Sequence, residues 1–359
     1  MRFKALVRVL GSTALAASAG PALAQTPVPV EREAAYHHPH LAIEVPSQLA
    51  GFTRSEIVRY DDEQFNVGAQ LRDESTSTFA TLYIYRAGTP DLRIWGDRAV
   101  TMMLSNPALG KVDLDGIVMG NFTPPNGASA DSGFRLSAPL SGKGWSSTGL
   151  AIFIHDGWLM KVRMSSRTLA PVDLQERLGR VTNALEMEPA LDRQPAYSTM
   201  EDCPNRLEFR KEAKLVRLDI TGSILFGSVF KMAADKAEPD AGKTLGKVAC
   251  REKLTDAYAV YRFDEATKSY LVAFGDSGAS ATVDSFDASG LVKRLIGYTI
   301  NLSDGVTNQI YPPFDRMPTP AQVYTVVNQL NPQVTIDVRP GSDGGVTISV
   351  SPPADTTND

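Results

Sequence analysis

Residues 148–187 read TGLAIFIHDGWLMKVRMSSRTLAPVDLQERLGRVTNALEM, and the fold turns on their pattern. Asp156-Gly157 between two apolar runs predicts a two-residue hairpin, because a type I′ turn needs positive φ at both central positions. His155 then pairs with Trp158. The period-2 rule places Ala151, Phe153, His155, Trp158, Met160, Val162 and Met164 on one face, which is almost wholly apolar. The other face carries Leu150, Ile152, Ile154 and Leu159 beside Lys161 and Arg163. Two partly apolar faces imply cover on both sides. After Arg167 the period becomes helical, with Leu174, Leu178, Val181 and Leu185 on one stripe. Asp173–Arg177 and Glu176–Arg180 form i,i+4 pairs on the outer side. Pro171 suits the first helical turn and Pro189 ends the pattern.

At the N-terminus, Arg2, Lys4 and Arg8 lead into the apolar run Val9 to Ala19, then Pro21 and Ala22-Leu23-Ala24. This is the pattern of a secretory signal peptide over residues 1–24, cleaved after Ala24. The run is far short of the ~20 residues a membrane span needs, and no later segment is long and apolar enough for one. The expected product is an exported, soluble protein, periplasmic or secreted. Removing residues 1–24 leaves 33 Lys plus Arg against 41 Asp plus Glu, a net charge of about −8. With no Lys/Arg cluster interleaved with aromatics, nucleic acid is excluded as a partner.

Cys203 and Cys250 are the only cysteines. In an oxidising compartment an isolated pair predicts a disulfide, worth ~3 to 4 kcal/mol on the loop-entropy account. No C-x-x-C spacing supports a redox or metal pair. Residues 25–40 read as a linker containing His37-His38-Pro39-His40, which hold three of the four histidines. A flexible His-rich arm can capture zinc or copper through neutral imidazoles. No Cys or carboxylate at fixed spacing completes a tetrahedral set, so no metal ligand is assigned.

From Leu41 the chain is strand-rich: Leu41 to Val45, Phe52 to Tyr60, Phe65 to Leu71 and Thr78 to Arg86 are short runs between turn residues. A helix is expected over Leu92, Trp95, Ala99, Met102 and Met103, and then a loop-rich stretch to Ser147 containing Pro124-Pro125. This order, strands, helix, strands, tight hairpin and closing helix over residues 41–188, resembles the PsbP-like secreted α/β/α sandwich family. The resemblance implies an α+β domain with a non-enzymatic accessory or binding role.

Residues 189–205 read as a linker broken by Pro189, Pro195 and Pro204. Beyond it, residues 206–311 are expected to form a β-rich meander, with strands at Tyr258 to Phe263, Tyr270 to Phe274, Ala281 to Phe286 and Leu291 to Ile300. Before it, Ser223 to Ala234 suggests a short helix and Lys236 to Gly246 a loop. Residues 312–350 suggest a helix capped by Thr319 with Pro320 at its first position, then a hairpin of Val334 to Val338 and Val346 to Val350. Residues 351–359 read as a disordered tail. The expected fold class is therefore α+β: an N-terminal antiparallel sheet packed with helices, a β-rich meander domain and a small helix-hairpin unit.

Three motifs suggest chemistry and each lacks its partners. Gly275-Asp276-Ser277-Gly278 resembles the nucleophile loop of trypsin-like proteases, but Ala279 and Ser280 replace the glycine and proline that follow there, and no Ala-x-His-Cys segment precedes it. Asp113-Leu114-Asp115-Gly116 resembles the first motif of haloacid-dehalogenase-type phosphatases, with Ile117 in place of the family's Thr. His155 and Asp156 are neighbours on a turn and point apart. No catalytic or cofactor-binding residue is assigned. The sequence favours a non-enzymatic accessory or binding protein of a bacterial envelope, partnered by an envelope protein or a small ligand. The alternatives are an extracytoplasmic hydrolase whose site is too dispersed to read from one sequence, which a pocket joining His155, Ser277 and a carboxylate would favour, and metal capture by the His37–His40 arm.

Overall fold

A computed structural model gives the architecture of residues 25–209, 211–216, 218, 222, 226–228, 249–287, 296–337 and 347–350. The hairpin forms at the expected place, with φ of 47° at Asp156 and 74° at Gly157 and His155 opposite Trp158. In chain order the first strands are β1 (Thr26–Pro27), β2 (Tyr36–His37), β3 (Ile43–Val45), β4 (Gln48–Leu49), β5 (Phe52–Arg59), β6 (Asn66–Asp73) and β7 (Thr78–Arg86). Helix α1 (Leu92–Leu104) follows, then β8 (Lys111–Val112), β9 (Val118–Phe122), β10 (Gly133–Ser141), β11 (Ser147–His155), β12 (Trp158–Ser166), α2 (Pro171–Asn183) and β13 (Glu186–Met187). The remainder comprises β14 (Ala249–Leu254), β15 (Tyr258–Phe263), β16 (Tyr270–Phe274), β17 (Ser280–Asp287), β18 (Ile296–Ser303), β19 (Thr307–Ile310), α3 (Pro320–Gln329), β20 (Val334–Asp337) and β21 (Thr347–Val350).

The expected α+β class is corrected by this structure. The structure is mostly β, 41% strand against 14% helix, with three antiparallel sheets among the described residues. A ten-stranded sheet runs β1-β5-β6-β7-β12-β11-β10-β8, with β4 on β5 and β9 on β10; a three-stranded sheet is β13-β3-β2; an eight-stranded sheet is a meander from β14 to β21. Part of the difference lies in residues 105–147, expected to be loop-rich, which supply β8, β9 and β10. Phe134, Leu136, Ala138 and Leu140 alternate and are all buried, a strand pattern interrupted to the eye by Pro139. The proline is tolerated because it sits at a gap in the outer ladder, where the neighbour of β10 passes from β9 at Val118 to β8 at Val112.

The hairpin face predicted to be apolar lies in one core, where Ala151, Phe153, Trp158, Met160 and Val162 meet Leu174, Leu178 and Val181 of α2 and Ile43 and Val45 of β3. The other face has a second cover. Leu150, Ile152, Ile154 and Leu159 share a core with Ile94, Trp95 and Ala99 of α1 and with Ala259, Tyr261, Leu271 and Ala273 of the eight-stranded sheet. Alternate residues of that sheet, Val260, Val272 and Val283, face a third core closed by Val323 and Val326 of α3. Thr319 and Gln322 form a reciprocal capping box on α3, with Pro320 at its start. Cys203 and Cys250 form a disulfide with a Cα–Cα distance of 4.9 Å.

Residues 1–24, the loop at 236–246, the turn at 340–345, the tail at 351–359 and the start of the strand expected from Leu291 lie outside the described residues. So does most of the helix expected over Ser223 to Ala234, of which Phe226 to Ser228 are helical. Among the described residues, no helix is long and apolar enough to cross a membrane.

Candidate functional site at the junction of the two large sheets

A dense set of ionisable groups lies where the eight-stranded sheet meets the ten-stranded one. Pairing of Lys161 with Ile152 and Tyr83, and of Arg163 with Leu150 and Thr81, puts both cations on the hairpin face turned toward the second sheet. The β16–β17 turn, Gly275 to Gly278, inserts Asp276 between them. Lys161 Nζ lies 2.8 Å from the Asp276 carboxylate and donates at 2.8 Å to its backbone carbonyl, while Arg163 approaches the carboxylate at 3.3 Å. Tyr85 Oη donates to the same carbonyl at 3.0 Å. The Lys161 side chain is 4% exposed, a position an ammonium can hold only when paired and hydrogen-bonded.

Arg98, buried on α1, completes the junction by donating to three carbonyls: Gly275 and Thr255 at 2.7 Å and Asp256 at 2.9 Å. One residue earlier, Asp97 accepts from Arg251 at 2.7 Å and from Tyr261 Oη at 2.7 Å, and Arg251 also binds Asp202 at 2.8 Å. Burial alone would raise the Asp276 pKa, but Lys161 and Arg163 outweigh it and hold the carboxyl below its ordinary value. Burial lowers the Lys161 ammonium despite Asp276, and drives the Tyr85 phenol well up. Lys161, Arg163, Asp276, Asp97 and Arg251 are engaged by opposite charges and Arg98 by backbone carbonyls. The arrangement clamps two sheets together and, among the described residues, offers no unpaired base beside a nucleophile.

The three motifs of the sequence resolve in the same geometry. Gly275-Asp276-Ser277-Gly278 is the inserted turn, with positive φ at both glycines; Ser277 is exposed while Asp276 is clamped. His155 pairs with Trp158 on the opposite face of the ten-stranded sheet from Lys161, so the sheet itself separates His155 from Ser277 and Asp276. Asp113-Leu114-Asp115-Gly116 is an exposed turn between β8 and β9, closed by Asp115 N–H donating to Asp113 Oδ1 at 3.1 Å. No protein-family model matches this chain, and no curated protein does. Its chemistry has to be argued from its own residues.

The histidine tract is packed against the hairpin. His38 lies edge-on to Trp158 with ring centroids 4.8 Å apart, and His40 stacks on Phe65 at 4.1 Å. His38 Nδ1 accepts from the His40 backbone N–H at 3.2 Å, and His40 Nε2 lies 2.8 Å from the Glu63 carbonyl. His37 pairs instead with Glu44, 3.7 Å away. Among the described residues, no group of three or more His, Cys, Asp or Glu side chains is gathered to hold a metal ion. Burial and the neighbouring His40 lower the His38 pKa to about 4, with the Gln64 carbonyl pulling the other way. Buried His38 Nε2 and His155 Nδ1 make no hydrogen bond of good geometry.

A second feature, of different character, lies at the end of α1. An open groove of about 810 Å³ is lined by Leu104, Pro107, Val112, Leu114 and Leu254, with Lys111 and Lys143 as its charged residues. Neither the clamp nor the groove was assigned from sequence. Lys161 and Arg163 stand out as polar residues within a mainly apolar strand face, a signal of a buried partner. That partner lies 115 residues away, beyond any local pattern. The groove draws its walls from α1, β8 and β14, whose proximity depends on the packing of the two sheets.

Proposed function

We propose that this chain is an exported, non-enzymatic binding protein of a bacterial envelope, and that its ligand occupies the groove at the end of α1. The observation that carries the reading is the composition of that groove: apolar walls, with two lysines as the only charged lining residues among those described. Such a surface suits an elongated apolar group with an anionic end, the apolar part displacing water from the leucines and the anion meeting Lys111. The ionisable groups of the sheet junction are committed to holding the protein together, which favours binding over catalysis. The signal-like residues 1–24 and the disulfide support export.

The test uses an apolar anionic fluorophore, 1-anilinonaphthalene-8-sulfonate, titrated into the folded mature chain. Saturable binding that Leu104→Asp and Lys111→Glu each abolish, with far-UV and near-UV circular dichroism unchanged, is the expected result. Absence of saturable binding, or binding indifferent to both substitutions, refutes the groove assignment. Export is tested separately by mass spectrometry of the extracytoplasmic fraction, where the expected N-terminus is Gln25 and an intact Met1 would refute it.

A further inference from the structure

Strand β9 forms an outer edge of the ten-stranded sheet, paired on one side only, with β10. Among the described residues, no hydrogen bond reaches its outer row of backbone groups. Open edges in folded proteins are usually blunted by charge, proline or a covering segment. Two of the other edges, β1 and β14, follow that rule. At the opposite end of the same sheet, β1 is two residues long and includes Pro27. In the second sheet, β14 carries Arg251, Glu252 and Lys253 and is bridged by residues 201–203, with Arg251 N–H donating to the Glu201 carbonyl at 2.7 Å. β9, Val-Met-Gly-Asn-Phe, has no charge and no proline. It exposes Val118 at 37% and Met119 at 55%.

Gly120 adds an independent sign. A β-carbon placed on it would meet nothing within 4 Å, and its φ is not positive, so neither conformation nor packing among the described residues calls for glycine. A glycine inside a strand often marks close approach by another backbone. We infer that β9 is the edge through which two copies of this chain pair, antiparallel, about a two-fold axis near Gly120.

The register favours a second copy as the occupant. A two-fold at Gly120 sets Val118 against Phe122 and Met119 against Asn121, so apolar and neutral residues face one another. Asp113 and Asp115 fall opposite Gly127 and Pro125, and no like charges meet. The ladder stops where Pro124, lacking an N–H, comes opposite Gly116. A strand from another protein would need to be equally neutral at the centre and free of carboxylates opposite Asp113 and Asp115. This chain satisfies both conditions against itself.

The experiment measures the mass of the folded mature chain by sedimentation equilibrium from micromolar to submillimolar concentration, for wild type, Val118→Lys and Met119→Lys. The expected result is a wild-type monomer–dimer equilibrium weakened by about tenfold or more in each variant, with circular dichroism and thermal midpoint unchanged. Gly120→Cys guards against misfolded lysine variants: under mild oxidation it should give a disulfide-linked dimer joined through residue 120, located by peptide mapping. Three outcomes each overturn the proposal: a wild type monomeric throughout, a dimer that both lysine variants retain, or a Gly120→Cys protein that does not cross-link at residue 120. A monomer that adds a synthetic strand peptide at β9 would overturn it in favour of a foreign partner.

Discussion

Lys161 carries its charge into a position where water does not follow, and its neighbours determine whether that is stabilising. Removing one member of a buried pair leaves the other unsatisfied, at a typical cost of ~3 to 5 kcal/mol. Lys161→Met should therefore lower stability by about 3 kcal/mol in urea denaturation. Lys161→Met combined with Asp276→Leu should cost clearly less than the sum of the two single changes, because the buried ammonium and its carboxylate leave together and only the partly exposed Arg163 loses a partner. The pH dependence has a definite sign. The native Asp276 pKa is depressed, so its contribution is complete above the ordinary carboxylate value near 3.8 and is lost as pH falls through the native value. Gly278 is the second critical residue: its φ is 92°, and a β-carbon there would lie 2.6 Å from the Arg86 carbonyl oxygen. Gly278→Ala should cost about 2 kcal/mol, read as a lower denaturation midpoint with an unchanged slope. The glycine was readable in the sequence as a turn residue. Its closeness to Arg86 was not, since the two belong to different sheets.

Elements with a strong local period could be read directly, and those without one could not. Asp156-Gly157, the stripe of α2 and the Thr319–Pro320 start of α3 each encode their geometry within a few residues, and each appears where its chemistry places it. β10 was hidden by Pro139, whose tolerance depends on a ladder gap that only the tertiary arrangement creates. The histidine tract shows the opposite error: its composition suggests a solvated arm, whereas His40 stacked on Phe65 and His38 set edge-on to Trp158 hold it against the sheet. That packing makes the arm acid-sensitive. The native pKa of His38 is about 4 against an ordinary 6.5, so the fold favours the neutral ring. Stability should be complete above pH 6.5 and should fall by up to ~3 kcal/mol as pH drops toward 4. His38→Phe should flatten this dependence between pH 6.5 and 4 in equilibrium denaturation. A slope in that window unchanged by the substitution would assign it to other groups.

For the whole molecule, the decisive fact is that one hydrophobic core draws on α1, the hairpin and the eight-stranded sheet together. Separate unfolding of either large sheet would expose that core and break the Lys161–Asp276 and Asp97–Arg251 pairs. Calorimetry should therefore show a single transition, with the calorimetric and van't Hoff enthalpies equal; two resolved peaks would contradict a shared core. Reducing Cys203–Cys250, which are 47 residues apart in sequence, should shift that transition down without splitting it, by ~4 kcal/mol on the loop-entropy account. Strand runs such as Tyr258 to Phe263 were legible from alternation. Which of their faces would meet Leu150 and Ile152 is a pairing of distant segments, and nothing in either segment alone specifies it. The same pairing has a consequence in time. When residues through Met187 have emerged, the hairpin face bearing Leu150, Ile152 and Ile154 still lacks the strands that cover it. Those strands arrive on the order of ten seconds later at ordinary rates of synthesis. Through that interval a sticky β-surface is exposed, so the nascent chain should depend on a holding chaperone far more than the finished protein does.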